Sequence, residues 1–341
     1  MGALHLFSAL LATGRKPTTP PSPTSLFVGG LGYCGARIAA SFHNAYPDCK
    51  ISGTVRSSER RDALLFNPPS WLTGAVHLFD LDVEYAGLDS SGVADLMGSS
   101  HIVQTVAPIA DFDRDPLLAL HGNVLQSSSN LQYVGYLSST GVYGDHGGDW
   151  VTEEGSELRC KDAKSRARVV AEKEWGKLEI NSEGPRVDCF RCGGIYGPGR
   201  GPLFSPVSFL AAEAGSTDED VGPPKYVNRI LVDDICGALL AAASCERHRR
   251  AGGTAYNLVD NDPAPRKDVV CEARRLLLAA ERREDRADEK SAAPKRRRAI
   301  RATGNKRCSN SRLKDDYLWA PVAPTYKEGL ALLLEGSDLL L

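Results

Sequence analysis

LFVGGLGYCGARIAASF, Leu26 to Phe42, is the stretch whose reading decides the fold. Leu26, Phe27 and Val28 form a short apolar run of the kind that makes a buried strand. Glycines follow at Gly29, Gly30, Gly32 and Gly35, and apolar residues then resume at helical spacing through Ile38, Ala39 and Phe42. Strand, glycine turn and helix in that order make a dinucleotide-binding arrangement. One glycine permits the tight turn, the next lets the backbone approach a pyrophosphate, and the third lets the helix lie close on the strand. The helix start then presents unpaired N–H groups and a partial positive charge to the phosphates. Gly29, Gly32, Tyr33, Cys34 and Gly35 are therefore the expected cofactor contacts here. A glycine-rich turn alone is common in α/β proteins; the strand and helix on either side favour the binding reading.

A chain of 341 residues can bury a full core and suits one α/β domain with a smaller appendage. The formal net charge of −2 argues against a general nucleic-acid or membrane-surface binder. No apolar run approaches the roughly 20 residues needed to span a bilayer. Nine scattered cysteines, an odd number, suggest free thiols and a reducing compartment. Cys189 and Cys192 form a CxxC within DCFRCGGIYGPG, which reads as a strand running into a loop. Strand residues three apart face opposite sides, so two packing thiols are expected there instead of a redox pair. Residues 1–25 carry no acidic group and pass from an apolar opening into a Pro/Thr/Ser run. They read as a disordered extension or a targeting presequence, which places the protein in the cytoplasm or in an organelle. A myristoylation pattern fails because Leu6 stands where Ser or Thr is needed.

Beyond the first helix, KISGTV (Lys50 to Val55) reads as a second strand, and it ends in Arg56, Ser57 and Ser58 with Arg60 and Arg61 beyond. A carboxylate at this place favours NAD, whereas Arg accommodates the extra phosphate of NADP. The position predicts NADP through Arg56 and Ser57, with NAD or dual use as the alternative. A plain helix start would also welcome Ser57 or Ser58 as N-cap. AVHLFDLD (Ala75 to Asp82) predicts a third strand with Asp80 at its tip, HIVQTVAP (His101 to Pro108) a fourth with Thr105 at its exit, and LQYVGYLSS (Leu131 to Ser139) a fifth after a helix over Asp115 to Gln126. Strands alternating with helices predict a Rossmann-type, doubly wound parallel sheet with a small C-terminal substrate lobe. The strand tips Gly29, Arg56, Asp80, Thr105 and Ser139 then share the edge where such sheets bind ligands.

Six pieces occur in order over about residues 26–336: VGGLGYCG near Gly29, FDLD at Asp80, LSSTGVYG at Ser138–Gly144, GGIYGPGR at Gly193–Arg200, VNRILVDDI at Val227–Ile235 and AYNLVD at Ala255–Asp260. WAPVAPTYKEGL, ending at Leu330, looks like a closing helix. This ordered set resembles the extended short-chain dehydrogenase/reductases, the epimerase/dehydratase group. The resemblance implies that Asp80 and Leu81 flank the adenine and that Ser139 bonds a substrate oxygen, with Thr140 beside it. It also implies an NAD(P)-binding domain over 26–195, receiving about 227–260, and a substrate lobe from 196–226 and 261–336. Partners would be a small-molecule substrate, with no nucleic acid or membrane, and a homodimer is left open.

The family's chemistry rests on a Tyr and a Lys four residues later, on the helix after the serine strand. Here that helix reads KDAKSRARVVAEKEW, with Ala163, Ala167, Val170, Ala171 and Trp175 as its apolar stripe, and no tyrosine occurs between Gly144 and Ile195. Lys164 stands at the Tyr place and Arg168 at the Lys place, so the chain resembles the atypical extended subgroup. Arg168 would hold the ribose as a fixed cation, because its pKa rules out proton transfer. Lys164 would serve as acid if burial beside Arg168 depressed its pKa; the two otherwise make a solvated basic face followed by Glu172. Tyr143 is the nearest surviving phenol and the second candidate acid.

In VNRILVDD, alternation puts Arg229 on the same side as Val227, where family members acting on nucleotide sugars carry an Arg, so Arg229 is the candidate for an anionic substrate group. Asp233 and Asp234 are expected to cap the next helix, and no His/Cys cluster has metal spacing. A charged insert, Glu281 to Arg307, interrupts the pattern; it reads as a solvated, partly disordered segment or as an import or anion-binding patch around Lys295 to Arg298.

Overall fold

A computed structural model describes residues 22–79, 87–109, 114–179, 184–204, 224–245, 253–284 and 304–336. Seven strands form one sheet: β1 (Ser25–Gly29), β2 (Lys50–Val55), β3 (Val76–Leu78), β4 (His101–Gln104), β5 (Tyr133–Ser139), β6 (Arg186–Cys192) and β7 (Thr254–Leu258). Their order is β3-β2-β1-β4-β5-β6-β7, and every neighbouring pair is parallel. The order reverses direction at β1, so the sheet is wound outward both ways from its first strand. Register is set by Val28 opposite both Gly53 and Val103, and Gly135 opposite Asp188. The fold class is the expected one: a Rossmann-type α/β sheet.

Nine helices are described: α1 (Tyr33–Ala45), α2 (Ser58–Phe66), α3 (Ser90–Gly98), α4 (Pro116–Ser127), α5 (Ala163–Gly176), α6 (Val232–Ala243), α7 (Arg266–Glu284), α8 (Ser311–Tyr317) and α9 (Tyr326–Leu334). Their starts follow local chemistry. Asp115 accepts from the N–H groups of Leu117 and Leu118, with Pro116 at the first helical position, and Asp162 accepts from the N–H of Ser165.

The strands are apolar on both sides because both faces are covered. Leu26 and Val28 pack with Ile38 and Phe42 of α1 and Leu239 and Ala242 of α6. Phe27, Ile102 and Val134 face the other way, against Leu96, Leu117 and Trp175. Cys189 and Cys192 are free, buried and divided between these two cores, as the strand period requires. The α5 stripe is narrower than predicted. Ala167, Ala171 and Trp175 are buried but Ala163 and Val170 are exposed, while Ser165 and Glu172 take places inside. A third cluster, with Tyr196, Leu231, Val269, Ala323, Tyr326 and Leu330, lies on the C-terminal side.

Among the described residues no helix is long and apolar enough to cross a membrane. The 1–25 readings fall almost wholly outside the described residues, as does the insert from 285 to 303.

Candidate functional site

The glycine loop is fixed by its neighbours at the carboxyl edge of β1. Thr105, just past β4, donates its N–H to the Gly29 carbonyl (2.9 Å) and its hydroxyl to the Gly29 and Gly30 carbonyls (2.9 Å each). Gly30 has a left-handed φ of +92°, and its N–H donates to Thr54 Oγ1 at 2.8 Å. A Cβ on Gly35 would overlap the Gly30 carbonyl oxygen, so the close approach of α1 to the loop requires glycine there. Gly32 differs: a Cβ there would meet nothing within 4 Å. Its bare backbone faces open space at the start of α1, where an anion is favoured.

That space is a cavity of about 640 Å³ between the loop, the end of β2 and the start of α2. Tyr33, Arg37, Arg56, Ser57, Arg60 and Phe79 are among its walls. Arg56 and Arg60 are exposed at the rim. Ser57 is the N-cap of α2, accepting from Arg60 N–H at 3.4 Å, so the cap reading and the wall position hold together. Burial pushes the half-buried Cys34 thiol above its ordinary pKa. Asp80 and Leu81 lie outside the described residues.

The exit of β5 is the second half of the site. Ser139 is half-buried and accepts from Gly141 N–H at 3.1 Å; its own O–H has no acceptor among the described residues. Thr140 is buried beside it. Arg168 turns inward from α5 and donates to the Leu137 carbonyl at 3.1 Å, which puts its cation at the end of the serine strand.

Three expectations need correction. Lys164 is exposed, so the burial that its role as acid required is absent. Tyr143 is fully buried; its hydroxyl donates to Asn257 Oδ1 (2.9 Å) and accepts from Arg191 (2.9 Å), and burial holds its pKa above the ordinary phenol value. It packs the strand exit and does not present a proton to the edge. Arg229 is buried and donates to the carbonyls of Val227 (2.9 Å) and Ala264 (3.0 Å), so its guanidinium is already engaged by backbone.

Asp233 and Asp234 sit in the first turn of α6 without a side-chain cap bond; Asp234 instead accepts from the N–H groups of Val322 and Ala323. Among the described residues no group of His, Cys, Asp and Glu is placed to hold a metal ion.

The sequence reading missed Thr54, Arg37, Arg200 and a buried polar network under Ser139. In that network Glu172 accepts from Ser138 Oγ (2.5 Å) and pairs with Arg191 (2.8 Å), which continues to Tyr143. Thr54 left a weak signal, a hydroxyl one residue from the end of an otherwise buried strand.

No protein-family model and no curated protein matches the sequence. Solved structures do. A conserved protein of unknown function from Silicibacter pomeroyi is 28% identical over 92% of this chain and 99% of its own, with a TM-score of 0.66. The dTDP-glucose 4,6-dehydratase of Bacillus anthracis, in complex with NAD, is 17% identical over 92% of this chain and 97% of its own, with a TM-score of 0.60. A UDP-galactose 4-epimerase is 16% identical over 92% and 99%, with a TM-score of 0.62. The sheet reverses at β1, its glycine loop lies at that reversal, and epimerases and dehydratases superpose over nine-tenths of the chain. The chain has the Rossmann-type fold that these epimerase and dehydratase structures share.

Proposed function

We propose that this protein binds a nicotinamide dinucleotide, NADP in preference to NAD, and acts as an oxidoreductase or epimerase-like enzyme on a small oxygenated substrate. The observation that carries the reading is the cavity beside Gly32, with Arg56 and Arg60 at the far rim where β2 ends. Two guanidinium groups line that rim, which suits a ribose 2′-phosphate, while the exposed Glu59 carboxylate beside it is bonded to Ser57. Gly30 and Gly32 would admit the diphosphate, and Thr105 holds the loop in shape through both glycine carbonyls. NADP, when bound, supplies or accepts the hydride.

The chain's own part in the chemistry falls to Ser139, whose spare O–H would donate to the reacting oxygen, and to Arg168, a cation at the end of β5 for the nicotinamide ribose. Residues 196–226 and 261–336 would form the substrate lobe over this edge.

The test is calorimetric titration with NADPH and NADH on the wild type and Arg56→Ala. NADPH binding that weakens at least tenfold in the variant, with NADH changed little, is the expected result. A charge-assisted hydrogen bond to a phosphate is worth about 1.5–3 kcal/mol. Failure of the wild type to bind either dinucleotide would overturn the reading.

A second reading is favoured by the exposed Lys164 and the sealed Tyr143: a dinucleotide-binding protein without turnover, acting as a redox sensor or interaction module. Hydride exchange with a panel of carbonyls and alcohols, lost in Ser139→Ala, decides for the enzyme. NADPH that binds and is never oxidised decides for the second reading.

A further inference from the structure

Tyr33, the first residue of α1, lies between two guanidinium groups that come from distant parts of the chain. Arg37 is 4.4 Å from its ring centroid and Arg200 is 5.2 Å from it. The Tyr33 hydroxyl donates to the Pro198 carbonyl at 3.2 Å. Arg200 is carried on a closed turn in which Gly197 and Arg200 exchange both backbone hydrogen bonds at 2.9 Å. A Cβ on Gly197 would come within 2.6 Å of the Tyr33 hydroxyl and of Val232, so the turn reaches the glycine loop only because residue 197 has no side chain.

The contact is rich in positive charge, with the buried Asp233 carboxylate close enough to act on Arg37 and Tyr33. Two cations converge on one aromatic ring beside the positive end of a helix. Cation–π attraction returns about 0.5–1 kcal/mol for each at an exposed site. Arg200 is exposed, and its guanidinium has no hydrogen-bond or carboxylate partner among the described residues. Tyr33 and Arg37 also line the cavity that Gly32, Arg56 and Arg60 border.

We propose that Arg37 and Arg200 are a two-armed clamp for the diphosphate of the bound dinucleotide. Arg200 reaches over from the Gly197–Arg200 turn and fastens that turn to the glycine loop when the anion is present. The inference rests on the dinucleotide reading above and adds a second anion station to it. Arg56 serves the 2′-phosphate; Arg37 and Arg200 serve the bridging diphosphate.

The two stations separate with fragments of the cofactor. Wild type, Arg200→Gln and Arg56→Ala are titrated with NADPH, ADP, adenosine 2′-monophosphate and UDP. Arg200→Gln should weaken ADP and NADPH about tenfold, the loss of one charge-assisted contact, and leave adenosine 2′-monophosphate within about twofold. Arg56→Ala should weaken adenosine 2′-monophosphate and NADPH about tenfold and leave ADP within about twofold. Arg200 is exposed, so an unchanged circular dichroism spectrum is expected of its variant. ADP binding equal to wild type in Arg200→Gln overturns the clamp while leaving the dinucleotide reading standing. A loss confined to UDP overturns it too, because the diphosphate held would then be a substrate's. A wild type that binds none of the four fails the dinucleotide reading and the clamp with it.

Discussion

Replacing Glu172 by Ala would expose how much of the fold depends on one buried charge. Glu172 and Arg191 have side chains 9% and 6% exposed and are bonded at 2.8 Å, with Arg191 also donating through Nε. Without Glu172 the guanidinium stays inside, held only by the Tyr143 hydroxyl, and Ser138 loses its acceptor. Breaking a buried pair from one side costs about 3–5 kcal/mol, and the lost serine bond adds about 1 kcal/mol. A total of about 4–6 kcal/mol is a large part of the roughly 5–15 kcal/mol that holds a domain together. Trp175, on the same helix and stacked on Tyr136, reports unfolding by its fluorescence in a urea titration. The double variant Glu172→Met, Arg191→Met removes both charges and should cost clearly less than the single one, since apolar replacements of similar volume are often near neutral. A single variant within about 1 kcal/mol of wild type would refute the argument, because such a charge would have to be solvated. A double variant worse than the single would refute it as well.

Gly35→Ala puts a methyl group on the Gly30 carbonyl, a backbone atom that cannot rotate away, so α1 must lift. NADPH affinity should fall at least a hundredfold on the dinucleotide reading, while Gly32→Ala, with open space around it, keeps the stability of the wild type; equal melting of the two variants would contradict this. Asp260 is buried, its Oδ2 has no partner among the described residues, and burial raises its pKa to about 8. The native state therefore keeps a proton that the unfolded chain has lost, and stability falls as pH rises from about 4 to 8. Between pH 6 and 8 this one group removes about 2 kcal/mol, and Asp260→Asn should abolish that part of the slope. Parallel pH dependence of the urea midpoint in both proteins would show that Asp260 ionises normally.

The glycine-loop half of the candidate site was more legible in the sequence than the β5 exit, for a physical reason. Gly29, Gly30, Gly32 and Gly35 are constrained by backbone geometry within a few residues, so strand, turn and helix are read locally; β2 starts and ends where KISGTV predicts. Roles at the β5 exit depend on what other strands place behind it. Nothing near Tyr143 in sequence reveals that Arg191 of β6 and Asn257 of β7 meet its hydroxyl. Alternation puts Arg229 and Val227 on one side of an extended segment, yet it cannot show that the Ala264 carbonyl waits there. Arg37 and Arg200 converge on Tyr33 across the whole first half of the chain, and no spacing rule links them.

These placements also explain how a Tyr and a Lys on this helix can be missing without loss of the fold. The helix that would carry them keeps its position through other contacts: Ala167, Ala171 and Trp175 pack it, Glu172 ties it to β6 through Arg191, and Arg168 ties it to β5 through the Leu137 carbonyl. Because Glu172 also takes the Ser138 hydroxyl, the same helix fixes the strand exit next to Ser139. An exposed Lys164 is not needed for any of this. The position of α5 beside the serine strand therefore does not depend on the side chain at residue 164. On the proposed enzyme reading, what this chain lacks relative to an enzyme with the full dyad is the source of the proton, while the contacts that hold the strand exit at Ser139 remain.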